Sequence, residues 1–342
     1  MSCLISRLAL LAPVALSLIQ PAGALPKARD APTIPQYVID YAPLVWLHSQ
    51  DPYRPSDLQQ QLDHTTAQVK WKEVDGAPSP LTLDNLDKLN DIGNTSVYLT
   101  SHEGIDISPE PDWFHGITPT AQGVTEKGTG SAIIVVDHGK GDVDAFYFYF
   151  YAYNKGNTVL GMEFGDHMGD WEHNMIRFSS GSPQAIWYSQ HASGQAFTYD
   201  AAEKKGKRPY AYSGNGTHAN YAIAGKHDHT IPGVNLPDGP LVDYSDRGLL
   251  WDPTANAYTY TYDPATAKFA AGKPDTPVGW LNFNGQWGDD QPPNEPSIFG
   301  QAKYVAGPNG PKFKHLDRKE VCPSSPCVVL PFRIWAEKNS TA

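Results

Sequence analysis

The sequence predicts a mainly β fold: an antiparallel β-sandwich with long ordered loops and a few short helices. Aromatic residues are frequent, with 18 Tyr, 12 Phe and 9 Trp, and such residues favour strands. The chain also contains 30 Gly and 30 Pro, which favour turns. From residue 131 onward, short β-type runs alternate with turns that contain Gly, Pro, Ser or Asn, as in a sandwich. A chain of 342 residues is long enough to bury a sizeable core.

The start of the chain has the pattern of a secretory signal peptide. Arg7 precedes an apolar run that ends in the small residues AGA. A membrane anchor is the alternative, but the run is short and Pro13 interrupts it. The predicted organisation is a signal peptide at 1–24, an N-terminal tail or pro-segment at 25–36, a single β-sandwich domain at 37–333 and a flexible tail at 334–342.

The charge balance excludes some partners. Arg7 is the only charged residue of the signal peptide, so the remaining chain has 25 basic and 37 acidic residues, a net charge of −12. An acidic chain without a basic cluster is not expected to bind nucleic acid or a generic anionic membrane. No later stretch approaches the ~18 apolar residues of a membrane-spanning helix, so we expect no transmembrane segment after signal removal.

Cysteines and glycosylation sequons point to the secretory route. Cys322 and Cys327 close a short loop in CPSSPC and are expected to form a disulfide. A metal half-site is the rival interpretation, but the chain has no second cysteine pair to complete it. N-x-S/T sequons, which predict glycosylation, occur at Asn94, Asn215 and Asn339. We therefore expect a secreted protein or one in the lumen of the secretory pathway or vacuole.

The elements follow in chain order. Residues 37–47, YVIDYAPLVWL, form an apolar entry that ends in a strand, and LDHTTAQV (62–69) and LTLDNLDKL (81–89) are expected to be short helices. Residues 131–154 contain two strands joined by the Gly-rich turn HGKGD. The second strand, Ala145 to Tyr153, is aromatic on both faces, so we expect it to be central and covered on both sides. Further strands are predicted in HNMIRFSS, QAIWYSQH, QAFTYDA, RPYAYSGNGTHANYA and AYTYTYD.

The stretch from 165 to 178, GDHMGDWEHNMIRF, is unusually polar for the start of a strand. In an extended chain Asp170 and Glu172 point to one face, about 6.5–7 Å apart along the strand, and Trp171 points to the other. His167 precedes them in a turn and can fold over the same face, whereas His173 faces with Trp171. A purely structural role for the two acids, such as an ion pair with Arg177, is the alternative.

Other polar groups are candidates to converge on the same place from neighbouring strands. Asn154 ends the aromatic strand, and His191 and His218 are candidate ligand-binding residues in turns. Histidine together with carboxylates suits a divalent cation, with Ca²⁺ or Mg²⁺ preferred over Zn²⁺. The predicted metal ligands are His167, Asp170, Glu172 and Asn154. Motifs for a nucleophile elbow, a P-loop, a dinucleotide site or an H-E-x-x-H zinc site do not occur.

Most of the chain resembles the fungal vacuolar protein sorting-associated protein 62 family. The resemblance runs from about Ile34 to Cys327 and implies no particular reaction. It is carried by YAPLVWLHSQDPYRPSDL, FYFYFYAYN, GDHMGDWEHNMIRF, RPYAYSGNGTHANYA and FNGQWGDDQPP.

A second, local similarity concerns GDHMGDWEH, which is similar to the GHRHDWE signature of the necrosis- and ethylene-inducing peptide-like proteins. Those proteins are secreted β-sandwich cytolysins that hold a divalent cation and bind plant sphingolipid glycans. The similarity implies that His167, Asp170 and Glu172 are cation ligands, with Asn154 near the place of a further aspartate. Gly169 replaces the other histidine of the signature, which puts a cytolytic activity in doubt.

Three functional hypotheses follow from the sequence. The leading one is a divalent-cation site that binds a glycan or glycolipid headgroup. The second is a carbohydrate-active or metal-dependent hydrolase in which Asp170 and Glu172 are the candidate catalytic residues. The third is a ligand-free sorting or structural factor of the secretory or vacuolar route. The sequence does not decide whether the protein is an enzyme.

Overall fold

The structure is a computed structural model that describes residues 34–159, 161–228, 241–298 and 300–333. All of the described residues belong to one compact unit. The predicted signal peptide, most of the predicted N-terminal tail, the predicted C-terminal tail and the sequon at Asn339 lie outside the described residues. In the part of the chain that is described, no helix is long and apolar enough to cross a membrane.

Short strands make up most of the regular structure. In chain order they are β1 (Leu44–Leu47), β2 (Thr65–Val69), β3 (Lys72–Glu73), β4 (Tyr98–Ser101), β5 (Ser131–Gly139), β6 (Asp142–Asn154), β7 (Asn157–Val159), β8 (Met162–Phe164), β9 (His167–Ser179), β10 (Ser182–Gln190), β11 (Ser193–Thr198), β12 (Lys204–Lys205), β13 (Arg208–Ser213), β14 (Asn220–Tyr221), β15 (Gly225–Asp228), β16 (Val242–Ser245), β17 (Leu249–Trp251), β18 (Ala257–Asp263), β19 (Lys268–Ala271), β20 (Ser297–Ile298), β21 (Gln301–Ala302) and β22 (Val329–Leu330).

The helices are short. The α-helices are α1 (Gln36–Asp40), α2 (Leu58–Asp63) and α3 (Gly279–Asn282). Single 3₁₀ turns or slightly longer 3₁₀ segments lie at Leu86–Asp91, Asn94–Ser96, Asp112–His115, Tyr199–Ala201, Pro253–Asn256 and Pro311–Phe313.

Two sheets form the sandwich. The larger has eight strands in the order β19-β18-β5-β6-β9-β10-β11-β22, and the smaller has the order β12-β13-β1-β17 with β14 beside β13. Most neighbours are antiparallel, as predicted, but β1 and β13, β5 and β18, and β11 and β22 run parallel. The prediction of a mainly β sandwich is therefore confirmed, with three parallel pairs that the sequence pattern did not indicate.

The aromatic strand β6 lies at the centre of the larger sheet, between β5 and β9, and is covered on both faces as predicted. Its tyrosines, such as Tyr149, face the smaller sheet and pack with Val45 and Ala211. Its phenylalanines, such as Phe148, face the opposite way, into a core that includes Trp280. The alternation of Phe and Tyr along β6 thus separates two cores on the two sides of one sheet.

One predicted helix was wrong in part. Helix α2 ends at Asp63, and residues 65–69 of the predicted helical stretch form β2, which pairs antiparallel with β4. Asp57 caps the start of α2, since its side chain accepts a hydrogen bond from the Gln60 amide. The β-branched pair Thr65 and Thr66 that follows is better suited to a strand than to a helix.

Candidate functional site

Asp170 and Glu172 lie on the face of β9 that points toward the smaller sheet. They stand opposite Tyr151 and Tyr149 of β6, whereas Trp171 packs on the other face with its ring 4.8 Å from that of Phe150. The two carboxylates thus share one face, as the spacing predicted. They are only 5% and 6% exposed, so each needs neighbouring groups to offset the loss of water.

His218 bridges two aspartates at this place. Its Nδ1 lies 2.9 Å from Asp170 Oδ2, and its Nε2 lies 3.5 Å from Asp51 Oδ2. The imidazole ring also stacks on Tyr151, with the ring centres 3.7 Å apart. Asp51 is itself held by the backbone amides of Tyr53 and Gly216 at 2.9 and 3.1 Å. The side chain of His218 is completely buried, so the two carboxylates enclose an imidazole that is closed to solvent.

The two neighbouring acids of β9 have opposite pKa shifts. Burial alone would raise the pKa of Asp170, but the hydrogen bond and charge of His218, with a contribution from His167, lower it. Burial and the negative charge of Asp170 raise the pKa of Glu172 to about 8. The Ser189 hydroxyl donates a hydrogen bond to Glu172. At neutral pH, Asp170 is therefore the ionised member of the pair and Glu172 the protonated one.

A second ion pair, between His191 and Asp243, continues the constellation. His191 Nε2 lies 2.8 Å from Asp243 Oδ2, which also accepts a hydrogen bond of 2.5 Å from the Tyr221 hydroxyl. Burial alone would lower the pKa of His191, but Asp243, helped by Glu172 and Asp170, raises it to about 9. We refer to Asp51, Asp170, Glu172, His191, His218 and Asp243 together as the acid–histidine cluster.

Both histidines of the acid–histidine cluster occupy strained turns. His191 follows β10 with a φ of 53°, and His218 lies between β13 and β14 with a φ of 54°. A non-glycine residue in this left-handed region is uncommon and is found most often where the surrounding structure enforces it. The fold therefore holds both imidazoles in fixed positions beside the carboxylates.

His167 and Asn154 stand at the edge of this constellation. His167 Nδ1 donates to the Gly169 carbonyl at 2.8 Å, and burial lowers the pKa of the ring. His167 is close enough to Asp170 for their charges to interact. Asn154 pairs with His167 across β6 and β9, and its amide donates to the Gly165 carbonyl at 3.0 Å. The contacts described for Asn154 do not reach Asp170 or Glu172.

Gly169 explains a departure from the cytolysin signature. Its φ is 66°, and a Cβ atom at this position would lie 2.2 Å from the carbonyl oxygen of Trp287. A histidine therefore cannot occupy position 169 without moving the backbone of the loop that carries Trp287. The close approach of two backbone segments, rather than the chemistry of the site, requires glycine here.

The acid–histidine cluster offers a cation two carboxylates. Among the described residues, no group of three or more His, Cys, Asp and Glu side chains is arranged to hold a metal ion. Asp170 and Glu172 nevertheless supply hard oxygen donors. Burial and, after it, repulsion by Asp170 raise the pKa of Glu172, and a cation would relieve that repulsion. Mg²⁺ commonly uses one or two carboxylates and completes its shell with water and substrate oxygens, so this donor pair is compatible with it.

The structure excludes the ion pair offered as a structural role for the two acids. Arg177 binds Asp144 instead, with both Nε and Nη2 at 2.7 Å from its carboxylate oxygens. His173 faces away from Asp170, as predicted, and accepts a hydrogen bond of 2.8 Å from Arg318.

The remaining predicted sites are the disulfide and the glycosylation sequons. Cys322 and Cys327 are joined by a disulfide. Asn94 and Asn215 are both exposed.

Asp51 and Asp243 were missed from the sequence. Asp51 lies in SQDPYRP, just after β1, and Asp243 lies in β16, so both reach the cluster from distant parts of the chain. A weak signal existed for Asp51, since an Asp-Pro pair directly after a buried strand places a carboxylate at the edge of a sheet. Nothing in the local pattern of Asp243 distinguishes it from an ordinary exposed acid, although it is 1% exposed.

Comparison with known proteins gives the family. A family model described as vacuolar protein sorting-associated protein 62 matches residues 151–292. The chain is 38% identical to the putative vacuolar protein sorting-associated protein TDA6 of Saccharomyces cerevisiae, across 84% of this chain and 68% of that protein. The chain belongs to the vacuolar protein sorting-associated protein 62 family. It is also 36% identical to vacuolar protein sorting-associated protein 62 of the same yeast, over the same shares of both chains.

The segment that matches the vacuolar protein sorting-associated protein 62 model contains most of the acid–histidine cluster. The members of the cluster that lie within this segment are Asp170, Glu172, His191, His218 and Asp243, whereas Asp51 lies before the segment.

Three solved structures show limited similarity to this member of the vacuolar protein sorting-associated protein 62 family. Necrosis and Ethylene inducing Protein 2, from the causal agent of cocoa's witches' broom disease, is 11% identical with a TM-score of 0.26, over 54% of this chain and 65% of that one. The non-toxic HaNLP3 protein is 12% identical with a TM-score of 0.29, over 67% and 77%. NLPPya in complex with mannosamine is 11% identical with a TM-score of 0.26, over 70% and 81%. These scores are too low to carry an inference about fold or ligand.

Proposed function

We propose that this protein binds a glycan or glycolipid headgroup through a divalent cation held by Asp170 and Glu172, in the secretory or vacuolar lumen. The observation that carries the proposal is the acid–histidine cluster, in which charged groups from separate loops and strands are buried together. Such a cluster costs folding free energy, and groups of this kind gather at functional sites more often than in structural cores. The histidine turns and the two acids of β9 form the proposed binding centre.

The cation is the first part of the proposal. Two buried carboxylates that face the same way favour Ca²⁺ or Mg²⁺ over Zn²⁺, because their oxygens are hard donors. A cation would replace the proton that Glu172 otherwise keeps, and would leave coordination positions for water or for ligand hydroxyls. His167 stands at the edge with its Nδ1 fixed on Gly169, and its Nε2 would become a third donor only if the ring moved toward the carboxylates on cation binding.

The ligand is the second part. His218 Nε2 is buried, makes no hydrogen bond among the described residues and has a longer ionic contact of 3.5 Å with Asp51, so a water bound inside the cluster would satisfy it. The family names of its relatives refer to vacuolar protein sorting. Together with the predicted signal peptide and the disulfide, these names support a lumenal location, where glycans and glycolipid headgroups are exposed.

Calorimetry with the purified protein tests the cation. We expect Ca²⁺ or Mg²⁺ to bind the wild-type protein and Asp170→Asn to weaken this binding at least tenfold. Asp75→Asn removes an exposed carboxylate elsewhere and serves as the matched control. Equal affinity in wild type and Asp170→Asn, or no binding by the wild type, would contradict the proposal and favour a ligand-free sorting or structural role.

A hydrolase is the second candidate, favoured by the opposite pKa shifts of Asp170 and Glu172. An ionised and a protonated carboxyl side by side are what a glycoside hydrolase uses as base or nucleophile and as acid. In that case Glu172 would donate the proton and Asp170 would be the charged partner. Incubation with a panel of oligosaccharides, followed by mass spectrometry of the products, tests this. Turnover that Glu172→Gln abolishes would replace the binding proposal, and no turnover on any substrate would remove the hydrolase.

A further inference from the structure

A surface cleft of about 470 Å³ adjoins the acid–histidine cluster. Two residues that line the cleft donate hydrogen bonds to aspartates of the cluster. The Gly216 amide donates to Asp51 at 3.1 Å, and the Asn157 side-chain amide donates to Asp243 at 3.1 Å. The cleft is lined by Gln50, Pro52, Tyr53, Lys155, Gly156, Asn157, Thr158, Asn215, Gly216, Val242 and Tyr244.

The lining has the chemistry of a sugar site. Tyr244 is 53% exposed and offers an aromatic face, and Gln50 and Asn215 offer side-chain amides. Aromatic faces stack on the apolar side of a sugar ring, and amides donate to and accept from its hydroxyls. Lys155 is the charged residue of the described lining, and it is paired with Glu163 at 3.2 Å. The volume falls in the range of small-molecule sites, about 300–1,000 Å³.

Asn215 gives this cleft a second property. It begins the sequon Asn215-Gly216-Thr217, its side chain is exposed, and its backbone amide donates to the Tyr244 carbonyl at 2.8 Å. A glycan attached to Asn215 would therefore start on the wall of the cleft, beside the exposed ring of Tyr244. The sequon at Asn94 is a natural comparison, because Asn94 is also exposed but does not line the cleft.

We propose that the cleft is the sugar subsite of this protein and that an N-linked glycan on Asn215 covers it, so that glycosylation at this one position determines whether the cleft is open. The sugar subsite rests on the proposed function, and the glycan rests on the predicted signal peptide. The covering glycan can be detected on the protein without any added ligand. The sugar subsite and the covering glycan are therefore tested by different measurements.

Nitration of Tyr244 by tetranitromethane tests the covering glycan. A yeast host that glycosylates proteins produces the wild type, Asn215→Gln and Asn94→Gln. Mass spectrometry then gives the glycan occupancy of each sequon. It also gives the nitration rate of Tyr244 relative to that of Tyr262. We expect Tyr244 to react at least fivefold faster in Asn215→Gln than in wild type and Asn94→Gln. Equal rates in the three glycosylated proteins, or an unoccupied Asn215, would overturn the proposal.

The same three proteins made in bacteria control for the side-chain change. Without glycans, Tyr244 should react at one common rate in wild type, Asn215→Gln and Asn94→Gln. If Asn215→Gln alone reacted faster in this set, the effect would come from the loss of the asparagine and the covering glycan would be refuted.

Saturation-transfer NMR with mannobiose and chitobiose tests the sugar subsite. We expect the bacterial protein to bind at least one of them, Tyr244→Ala to weaken that binding tenfold or more, and the protein glycosylated at Asn215 to lose it. Equal binding by the glycosylated and unglycosylated proteins would overturn the proposed regulation. If no form binds either disaccharide, the sugar subsite is rejected, while cation binding in the calorimetric test still decides the proposed function and nitration still decides the covering glycan.

Discussion

The two faces of the β6–β9 pair are made from alternate residues of the same two strands, yet they differ in chemistry. One face carries Phe148, Phe150 and Trp171, which pack into an apolar core. The other carries Tyr149 and Tyr151 opposite the two acids of β9. The comparison shows that one alternating sequence can stabilise a domain on one side of a sheet and build a polar site on the other.

The apolar face offsets the cost of the polar one. Buried charges reduce stability unless they are paired and hydrogen-bonded. The acid–histidine cluster has three histidine–carboxylate pairs and several hydroxyl and amide donors. The phenylalanines and Trp171 supply a large apolar area on this face, where His173, hydrogen-bonded to Arg318, is a polar exception. Four substitutions, from the largest expected effect to the smallest, test whether the apolar face stabilises the fold more than the polar face does.

Truncation of Trp171 should have the largest effect. Trp171 is 1% exposed and contacts Phe150, Trp280 and Trp287, so Trp171→Ala leaves a large cavity. We expect the free energy of unfolding to fall by about 3–5 kcal/mol, measured by urea denaturation. Trp71→Ala, at a position that is 39% exposed, is the control and should change stability little. A similar loss in both variants would contradict the apolar role of this face.

A hydroxyl placed on the apolar face should be costly. Phe148→Tyr adds one polar atom to a core whose side chains, apart from the neighbouring His173, are apolar, and it also overpacks this core, in which Phe148 is fully buried. We expect a loss of about 2–4 kcal/mol, from an unpaired hydroxyl and steric strain. If the Phe148→Tyr variant were as stable as wild type, the apolar face would tolerate polar groups, and the comparison of the two faces would then be wrong.

Glu172 should make stability depend on pH. Its pKa is raised to about 8 in the folded protein, above the unfolded value of about 4.3, so its contribution is present at low pH and is lost as pH rises toward 8. The slope from this group is at most about 1.4 kcal/mol per pH unit. The pKa of His191 is raised to about 9, so the stability that His191 contributes is also lost as pH rises from about 6.5.

Other histidines limit stability on the acid side. Burial lowers the pKa of His227 to about 4 and also lowers those of His167 and His173, so these groups destabilise the fold as pH falls below about 6.5. Urea unfolding from pH 5 to 9, with chelator present, should therefore show a steady loss above pH 6.5. Glu172→Gln should flatten that loss, while Glu126→Gln, at an exposed position, should not. Parallel curves for wild type and Glu172→Gln would count against the buried, protonated carboxyl.

Removal of a hydroxyl from the polar face should have the smallest effect. Tyr149 donates a hydrogen bond of 2.9 Å to Asn174 Oδ1, and Tyr149→Phe removes it without changing the ring. We expect a loss of about 0.5–1.5 kcal/mol in urea denaturation. A loss larger than that of Phe148→Tyr would reverse the expected order of the two faces.

Local patterns predicted the parts of the molecule that depend on neighbours in sequence. The alternation in FYFYFYAYN placed β6 at the centre of the sheet, and the spacing of Asp170 and Glu172 placed both on one face. The partners of these acids could not be predicted in the same way. His218 reaches Asp170 from a loop 48 residues away in sequence, and Asp51, which is 119 residues from Asp170, contacts the other nitrogen of His218. Such contacts are set by the packing of the two sheets.

Errors at the level of elements have a similar origin. Residues 65–69 carry a mixed pattern, and they form a strand because β4 is available as a partner. The three parallel pairs join segments far apart in the chain, which no short window of sequence can indicate. The requirement for Gly169 likewise comes from Trp287, more than one hundred residues later.

The parallel pairs at the two ends of the described chain affect when the domain can fold during synthesis. β1 pairs with β13, and β22, near the end of the described residues, completes the edge of the larger sheet beside β11. The finished sandwich therefore forms only after about residue 330 has left the ribosome. Thr217, which is 3% exposed in the folded protein, belongs to the Asn215 sequon. For a chain entering the secretory lumen, late completion of the sheets gives the modifying enzyme time to reach this sequon before folding buries its threonine.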